Sequence, residues 1–452
     1  MHALHTRNTS AVEIPYGNHA PRPDDRRESR GGGERGAGRV LPDGRKLDKQ
    51  RPSRQIVAMK KSQILRIGSR ALAAGSIEDL DLPRIAQEVG FKPSSLRYYY
   101  KNREELAEAI FHARIEELEK NATDARSQDS LRGFVGRLFA IELEQYADYL
   151  AGRADRKAQI GETRTLSHER RARVGARFNS LVEETGSLME ERGLEAIPGL
   201  PRLPAQMLLE NLFWLPGWID RFRQWEFGTV REDLTELFCN GLASDGSEIA
   251  GEALASEPES ADDSEDAGEK FLRVATQLVC RRGYRGTSID AISAELGVTK
   301  GSFYHHVAEK KDLVERCFDL GYDRISAFQR AASTRHDKPL DAVASVLASI
   351  IAAQTGQESP ILRYSALPGL PRSIRLTTIA GSDPLDRWFV ARLARAQADG
   401  TARTVDPYIA AQFAAVVANA SYDTVWLYRP SDPDAAGQAI LNAILHGFAN
   451  SV

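Results

Sequence analysis

The chain has 452 residues, of which 42% are hydrophobic, with a formal net charge of −3 and three cysteines. This length predicts roughly two to four domains, and three cysteines without a Cys-x-x-Cys pair argue against a disulfide framework or a zinc module. No apolar run approaches the roughly 18 residues that a membrane span requires. We therefore expect a soluble, cytoplasmic protein without a membrane segment.

Residues 1–55 are poor in large apolar side chains and carry 12 Arg or Lys against 7 Asp or Glu. Such a segment cannot bury enough surface to offset the entropy lost on ordering. We expect a disordered basic N-terminal arm. It either contacts nucleic-acid phosphates, stays solvated, or precedes a true start at Met59.

One pattern of about 40 residues occurs twice, at 64–106 and at 271–313, without a gap. Identical residues recur 207 positions apart at Leu65 and Leu272, Ile85 and Ile292, Glu88 and Glu295, Gly90 and Gly297, and Leu106 and Leu313. A long-period repeat predicts one structural module used twice. The predicted domains are heads at 56–120 and 270–325, helical bodies at 121–243 and 326–452, and a linker at 244–269.

In the first copy, a short polar and basic helix, Lys92 to Tyr100, follows the turn at Gly90. A helix of this kind after a tight turn fits the major groove of a duplex, although a merely solvated face is the alternative. The candidate DNA-contacting residues of this head are Lys92, Ser94, Ser95, Arg97, Tyr98, Lys101 and Arg103.

The bodies have apolar residues at helical spacing, such as Leu138, Ile141 and Tyr146 in the first and Val343, Leu347 and Ile350 in the second. Strand-like alternation is scarce, so the predicted fold class is all-α. Five aromatic residues late in the first body line a ligand pocket or interface, or fill the core: Phe213, Trp214, Trp218, Phe222 and Trp225. Asp406-Pro407 and Asp432-Pro433 are typical of helix starts.

Between the bodies, residues 244–269 contain ten acidic residues and no basic one. This composition predicts a disordered linker.

The second copy shows the clearer helix-turn-helix pattern. A helix from Lys270 ends at Gly283, Thr287 caps the next helix with Asp290 completing a capping box, and Gly297 makes the turn before a short polar helix, Thr299 to His306. Helix N-termini favour phosphate. The candidate DNA-contacting residues of this head are Thr287, Thr299, Lys300, Gly301, Ser302, Tyr304, His305 and Lys310.

The runs Gly283–Ile292 and Gly297–Val307 closely resemble the N-terminal domain of TetR/AcrR-family transcriptional regulators. The resemblance implies a three-helix DNA-binding head, a fourth helix that leads into a helical ligand-binding body, and dimerisation through the last two body helices. The first copy departs from the pattern, with Leu80 and Asp81 in place of Thr287 and Ser288, and Arg97 in place of Tyr304. This puts a phosphate contact of the first head in doubt, whereas its extra basic residues favour binding.

The resemblance also implies two partners, double-stranded DNA and an unidentified, largely apolar small-molecule effector. We predict a ligand-responsive repressor in which the final helices of each half, about 204–242 and 405–450, pair as an intrachain pseudo-dimer, so that two unlike heads read an asymmetric operator. The alternatives are a homodimer with four heads and a binding scaffold whose first head has lost DNA binding. No phosphate loop, metal-ligand spacing or nucleophile motif is present, so no enzyme, cofactor or metal is predicted.

Overall fold

The computed structural model describes residues 54–158, 163, 166–254, 267–299, 309–356, 360–362, 370 and 372–449. These residues are mainly helical, and their β-structure is limited to two isolated bridges, Ile197 with Leu200 and Ala243 with Ala402. The all-α class is therefore confirmed. No helix in the described ranges is long and apolar enough to cross a membrane. The predicted N-terminal arm up to residue 53 and five second-head candidates (Lys300, Gly301, Ser302, Tyr304 and His305) lie outside the described residues.

The described part of the first half forms eight α-helices. They are α1 (Arg54–Ala74), α2 (Leu82–Glu88), α3 (Pro93–Tyr99), α4 (Arg103–Ala125), α5 (Leu131–Leu150), α6 (His168–Glu190), α7 (Leu203–Trp214) and α8 (Phe227–Asn240). Short 3₁₀ turns occur at Ile77–Asp79 and between α7 and α8.

The described part of the second half adds seven helices. They are α9 (Ala267–Gly286), α10 (Ile289–Leu296), α11 (Lys310–Arg335), α12 (Pro339–Thr355), α13 (Arg372–Ala398), α14 (Pro407–Tyr428) and α15 (Pro433–His446).

Side-chain caps fix several of the helix ends. The Asp406 carboxylate accepts hydrogen bonds from the first backbone N–H groups of α14, and Asp432 does the same for α15. These bonds satisfy donors that have no partner inside the helix. Both predicted Asp-Pro starts are confirmed.

Helix α4 organises the first half, since it packs against α1, α5 and α6, while α5 packs against α8. In the second half, α11 packs against α9, α12 and α13, and α12 packs against α14 and α15. The apolar stripes predicted in the bodies are buried in both halves, including Leu138 and Tyr146 in the first and Val343 and Leu347 in the second.

The last two helices of each half meet one another. Helices α7 and α8 both pack on α14, and α8 also packs on α15. One continuous hydrophobic core joins the first half to the second body, and it includes Phe238 of α8, Phe413 of α14 and Phe448 after α15. A smaller core lies beneath the second head and contains Phe271, Ile292 and Phe318.

The structure differs from the prediction of a disordered linker over its first eleven residues, 244–254. The backbone N–H of Ser244 donates to the carbonyl of Thr401 at 2.9 Å, and residues 250–254 lie along α12. The backbone N–H groups of Ala250, Glu252 and Leu254 donate to side-chain oxygens of α12 at 3.1, 3.3 and 2.9 Å. These oxygens belong to Asp341, Ser345 and Ser349, at every fourth position of the helix. Four residues of helix rise about 6 Å and two residues of extended chain about 6.6 Å, so the two periods match.

Candidate nucleic-acid interface

The first head is held together by a small buried core under a helix-turn-helix. Leu80, Ile85 and Leu96 are buried. The Asp81 carboxylate caps α2 by accepting from the N–H of Arg84 at 3.3 Å. Gly90 has φ of 75°, which favours glycine, and makes the turn between α2 and α3 as predicted. The core therefore fixes which side of α3 faces out.

Every candidate of the first head is exposed. The exposed residues are Lys92, Ser94, Ser95, Arg97, Tyr98, Lys101 and Arg103. On the other side of the helix, Leu96 and Tyr100 are 0% and 3% exposed, whereas Tyr98 is 86% exposed. Burial raises the pKa of Tyr100 to about 12, so its hydroxyl stays neutral. Helix α3 thus presents one polar, basic face to solvent.

Neighbouring groups leave this face positively charged. The Glu105 carboxylate accepts from the backbone N–H of Lys101 at 2.9 Å, and the Asn102 side chain caps α4 by accepting from the N–H of Glu105 at 2.9 Å. Among the described residues, the side chains of Lys92 and Arg97 have no acidic partner within ion-pair distance. Such a face is suited to phosphate and to base edges.

The N-terminal cap of α10 in the second head is not the predicted one. Ser288, rather than Thr287, precedes the helix and accepts from the N–H of Ala291 at 3.0 Å. Thr287 is 1% exposed, and its hydroxyl donates to the carbonyl of Gly283 at 3.0 Å. The predicted capping box with Asp290 is therefore wrong, and in this structure the Thr287 hydroxyl is bonded inside the protein.

This finding changes the comparison of the two heads. Leu80, at the position of Thr287, is also buried at 2%, and Asp81, at the position of Ser288, is likewise the cap of its helix. The departure of the first copy at these two positions therefore changes the core and the capping group. It does not remove a solvent-facing hydroxyl.

The other described candidates of the second head flank the segment that lies outside the described residues. Thr299 is exposed. The Lys310 ammonium lies 4.2 Å from the centre of the Tyr284 ring, a cation–π contact. Glu309 caps α11, as Asn102 caps α4. Gly283, with φ of 73°, interrupts α9 where the sequence predicted its end.

The aromatic residues of the first body divide between two environments. Trp218 is buried and packs edge-to-face with Tyr408 of α14, 6.2 Å between ring centres. Phe213 instead lines a cavity in the first body, and Trp225 is 82% exposed. Trp218 therefore belongs to the core, whereas the ligand-pocket alternative stays a prediction.

That cavity lies between α4, α5, the segment after α5 and the turn after α7, and most of its lining could not be recognised from sequence. Charged groups and aromatic rings both line it, and the lining residues include Arg114, Glu142, Tyr146, Arg156, Lys157 and Phe213. The expectation of a largely apolar effector stays a prediction. In the described ranges, no three or more His, Cys, Asp or Glu side chains are grouped to hold a metal ion.

Comparison with known proteins finds a family match in the second head. Residues 271–317 match the family described as bacterial regulatory proteins, tetR family. The Transposon Tn10 TetC protein of Escherichia coli is 38% identical over 60 residues, which span 13% of this chain and 30% of TetC.

Solved structures resemble part of this chain, and only distantly. Apo AibR is 21% identical with a TM-score of 0.33, over 40% of this chain and 98% of AibR. A TetR-family transcriptional regulator from Bordetella parapertussis 12822 is 19% identical with a TM-score of 0.35, over 40% of this chain and 96% of that regulator. The sequence match is the informative result, and it makes residues 271–317 similar to the tetR family of bacterial regulatory proteins.

Proposed function

We propose that this chain is a cytoplasmic, ligand-responsive transcriptional repressor in which two unlike heads read one asymmetric operator. The two halves act as a pseudo-dimer within one chain. The observation that carries this proposal is a reciprocal set of backbone hydrogen bonds where the two halves end, which we call the clasp (residues 238–243 and 444–449).

The clasp has the pattern of a two-fold axis. Helices α8 and α15 both contain 14 residues, and each is followed by a glycine with positive φ, 73° at Gly241 and 81° at Gly447. The N–H groups of Leu242 and Ala243 donate to the carbonyls of Ile444 and Leu445 at 3.0 and 2.8 Å. In the opposite direction, the N–H groups of Phe448 and Ala449 donate to the carbonyls of Phe238 and Cys239 at 2.8 and 3.2 Å. Each bond has a counterpart 206 positions away, which is the signature of an isologous interface.

Side chains also stabilise the contact between the two halves at the clasp. The rings of Phe238 and Phe448 stack with 4.7 Å between their centres. The Arg403 guanidinium donates to the carbonyl of Asn240 at 3.1 Å and to the Glu236 carboxylate at 3.4 Å. A seam occupied by the chain's own two halves favours one chain with two heads over a homodimer that uses these helices.

The exposed basic face of α3 supports DNA binding by the first head, and the family match supports it for the second. Their helices differ in sequence, for example Arg97 against Tyr304. Two different reading helices favour two different half-sites, roughly one helical turn apart. A ligand that favours a head spacing unsuited to this operator would release the DNA by population shift.

A mobility-shift titration tests the proposal, with the DNA upstream of the coding region and several salt concentrations. We expect the Lys92→Ala/Arg97→Ala variant to bind more weakly and to lower the slope of log affinity against log salt by about 0.9 for each phosphate that it no longer neutralises. The control is Lys120→Ala, since Lys120 is exposed near the C-terminal end of α4, away from α3, and pairs with Glu116. An unchanged affinity and slope in the double variant would show that the first head does not contact DNA.

A further inference from the structure

Most of the charged groups at the cavity of the first body are paired with one another. The Arg114 guanidinium is buried and donates to the carboxylates of Glu117 and Glu142, both at 2.8 Å. The Asn121 side-chain amide donates to Glu142 at 3.1 Å. The Lys157 ammonium donates to Glu117 and to the side-chain carbonyl of Gln145. The charges of these two cations and these two carboxylates therefore balance.

Arg156 differs from these cations. It lines the same cavity, and its guanidinium donates to the carbonyl of Pro216 at 3.3 Å. Within the described part of the chain, no carboxylate lies within ion-pair distance of it. A half-buried guanidinium without a counter-charge is well suited to a planar carboxylate, which it can bind through two parallel hydrogen bonds.

Aromatic rings provide the apolar part of the cavity. Tyr146 and Tyr149 lie with 5.5 Å between their ring centres, and Phe213 also lines the cavity. The Tyr146 hydroxyl is already engaged, because it donates to the Asp220 carboxylate. These rings can therefore offer a ligand their apolar faces.

We propose that this cavity binds a small carboxylate with a flat apolar body, with Arg156 binding the carboxylate and the aromatic rings packing against the body. This inference rests on the proposed ligand-responsive function and specifies the class of effector.

The residues beside Arg156 connect the cavity to the first head. The Asp155 carboxylate accepts from the guanidinium groups of Arg66 and Arg70 of α1 at 2.7 and 3.4 Å. The N–H of Ala158 donates to the Ser69 hydroxyl, also on α1, at 3.1 Å. A carboxylate that displaces Arg156 therefore also shifts the segment 155–158. Because this segment is hydrogen-bonded to α1, the shift changes the position of the first head.

Among its described residues, the second half has no equivalent set of charged groups. Arg114 and Asn121 in α4 correspond, 207 positions on in α11, to Gly321 and Phe328. Helix α12 carries one charged residue, Asp341, and it bonds to the linker. In this proposal the first half alone senses the carboxylate, and both heads respond through the seam.

Thermal denaturation of the full chain tests binding, with benzoate and phenylacetate as probes and the uncharged benzamide and phenylacetamide as matched controls. We expect the carboxylates to raise Tm and the amides to leave it unchanged. Arg156→Met keeps the apolar stem and should weaken carboxylate binding about tenfold or more. Arg153→Met should retain it, since Arg153 lies in the same segment but pairs with Asp148. Equal shifts with acids and amides, or no shift with either acid, would overturn the proposal.

The coupling between the cavity and DNA binding is tested by substitutions in α1 of the first head. In the wild type, phenylacetate should weaken operator binding. In Arg66→Gln/Arg70→Gln, the ratio of operator affinities without and with phenylacetate should fall towards one, while the Tm shift persists. An undiminished ratio would rule out this route. Carboxylate binding by a chain that binds no DNA would contradict the proposed function but not the site, whereas DNA binding without a carboxylate response would contradict the site alone.

Discussion

Thr287 and Leu80 occupy one position of the repeat, and both side chains are buried. A threonine before a short helix is a typical N-cap, so the sequence favoured a hydroxyl at the surface. The structure places the cap one residue later, at Ser288. Side-chain direction at a helix start depends on the backbone angles of the preceding turn, which the residue types alone do not reveal.

Replacing Thr287 by Val tests this buried role. The change keeps the shape and removes the hydrogen bond to Gly283, so we expect a loss of about 1–2 kcal/mol in the free energy of unfolding. The salt slope of DNA binding should stay unchanged. Thr229→Val is the control, because Thr229 is exposed on α8 and its replacement should change stability by about 0.5 kcal/mol or less. A stable Thr287→Val variant with a lower salt slope would instead assign this hydroxyl to DNA.

Asp386 of α13 is a second residue whose environment differs from what its type suggests. Burial and the nearby Asp383 raise its pKa to about 6, against the opposing effects of Arg221 and Gln412. Since the folded-state pKa lies above the ordinary value of 3.8, the folded chain keeps a proton that the unfolded chain has lost. Stability therefore falls as pH rises from about 4 to about 6, and the loss persists above that range.

Asp386→Asn should remove this effect. We expect the variant to be more stable than the wild type by about 1–3 kcal/mol at neutral pH, with the difference shrinking towards pH 4. Urea denaturation at a series of pH values measures it. A difference that stays constant across pH would show that ionisation of Asp386 does not matter to folding.

At the scale of elements, the caps and apolar faces of helices could be predicted, because they depend on residues a few positions apart. Asp406-Pro407, Asp432-Pro433 and the glycine turns at Gly90 and Gly297 are such cases. The contact of 244–254 with α12 could not, because small polar residues on a helix face carry no sign of an extended partner nearly 100 positions away. The charged cavity could not be predicted either, because its lining residues come from four separate segments of the chain.

The clasp makes its own prediction at this scale. A Cβ added at Gly241 would lie 2.4 Å from the carbonyl oxygen of Leu445, whereas one added at Gly199 would have no atom within 4 Å. Both have positive φ, 73° and 76°, a region that costs alanine about 1–2 kcal/mol or more. We expect Gly241→Ala to lose at least about 2 kcal/mol more than Gly199→Ala in the free energy of unfolding. Equal losses would mean that the clasp contributes little.

At the scale of the whole molecule, the sequence repeat predicted two similar heads. In their described parts, Asp81 and Ser288, 207 positions apart, cap corresponding helices. How the halves pair was harder to predict, because the sequence alone does not distinguish an interface within one chain from an interface between two copies. The reciprocal hydrogen bonds on either side of Gly241 and Gly447 favour the first arrangement. The first head is the more divergent copy, yet its basic face is fully described and exposed.

The number of chains bound to one operator tests the central proposal most directly. Native mass spectrometry of the complex with a duplex containing two unlike half-sites, located first by footprinting, gives this number from the 49.9 kDa mass of the chain. We predict one chain per duplex, with both half-sites protected and each protection abolished when its own half-site is mutated. Two chains on one such duplex, or protection of a single half-site, would contradict the intrachain pseudo-dimer.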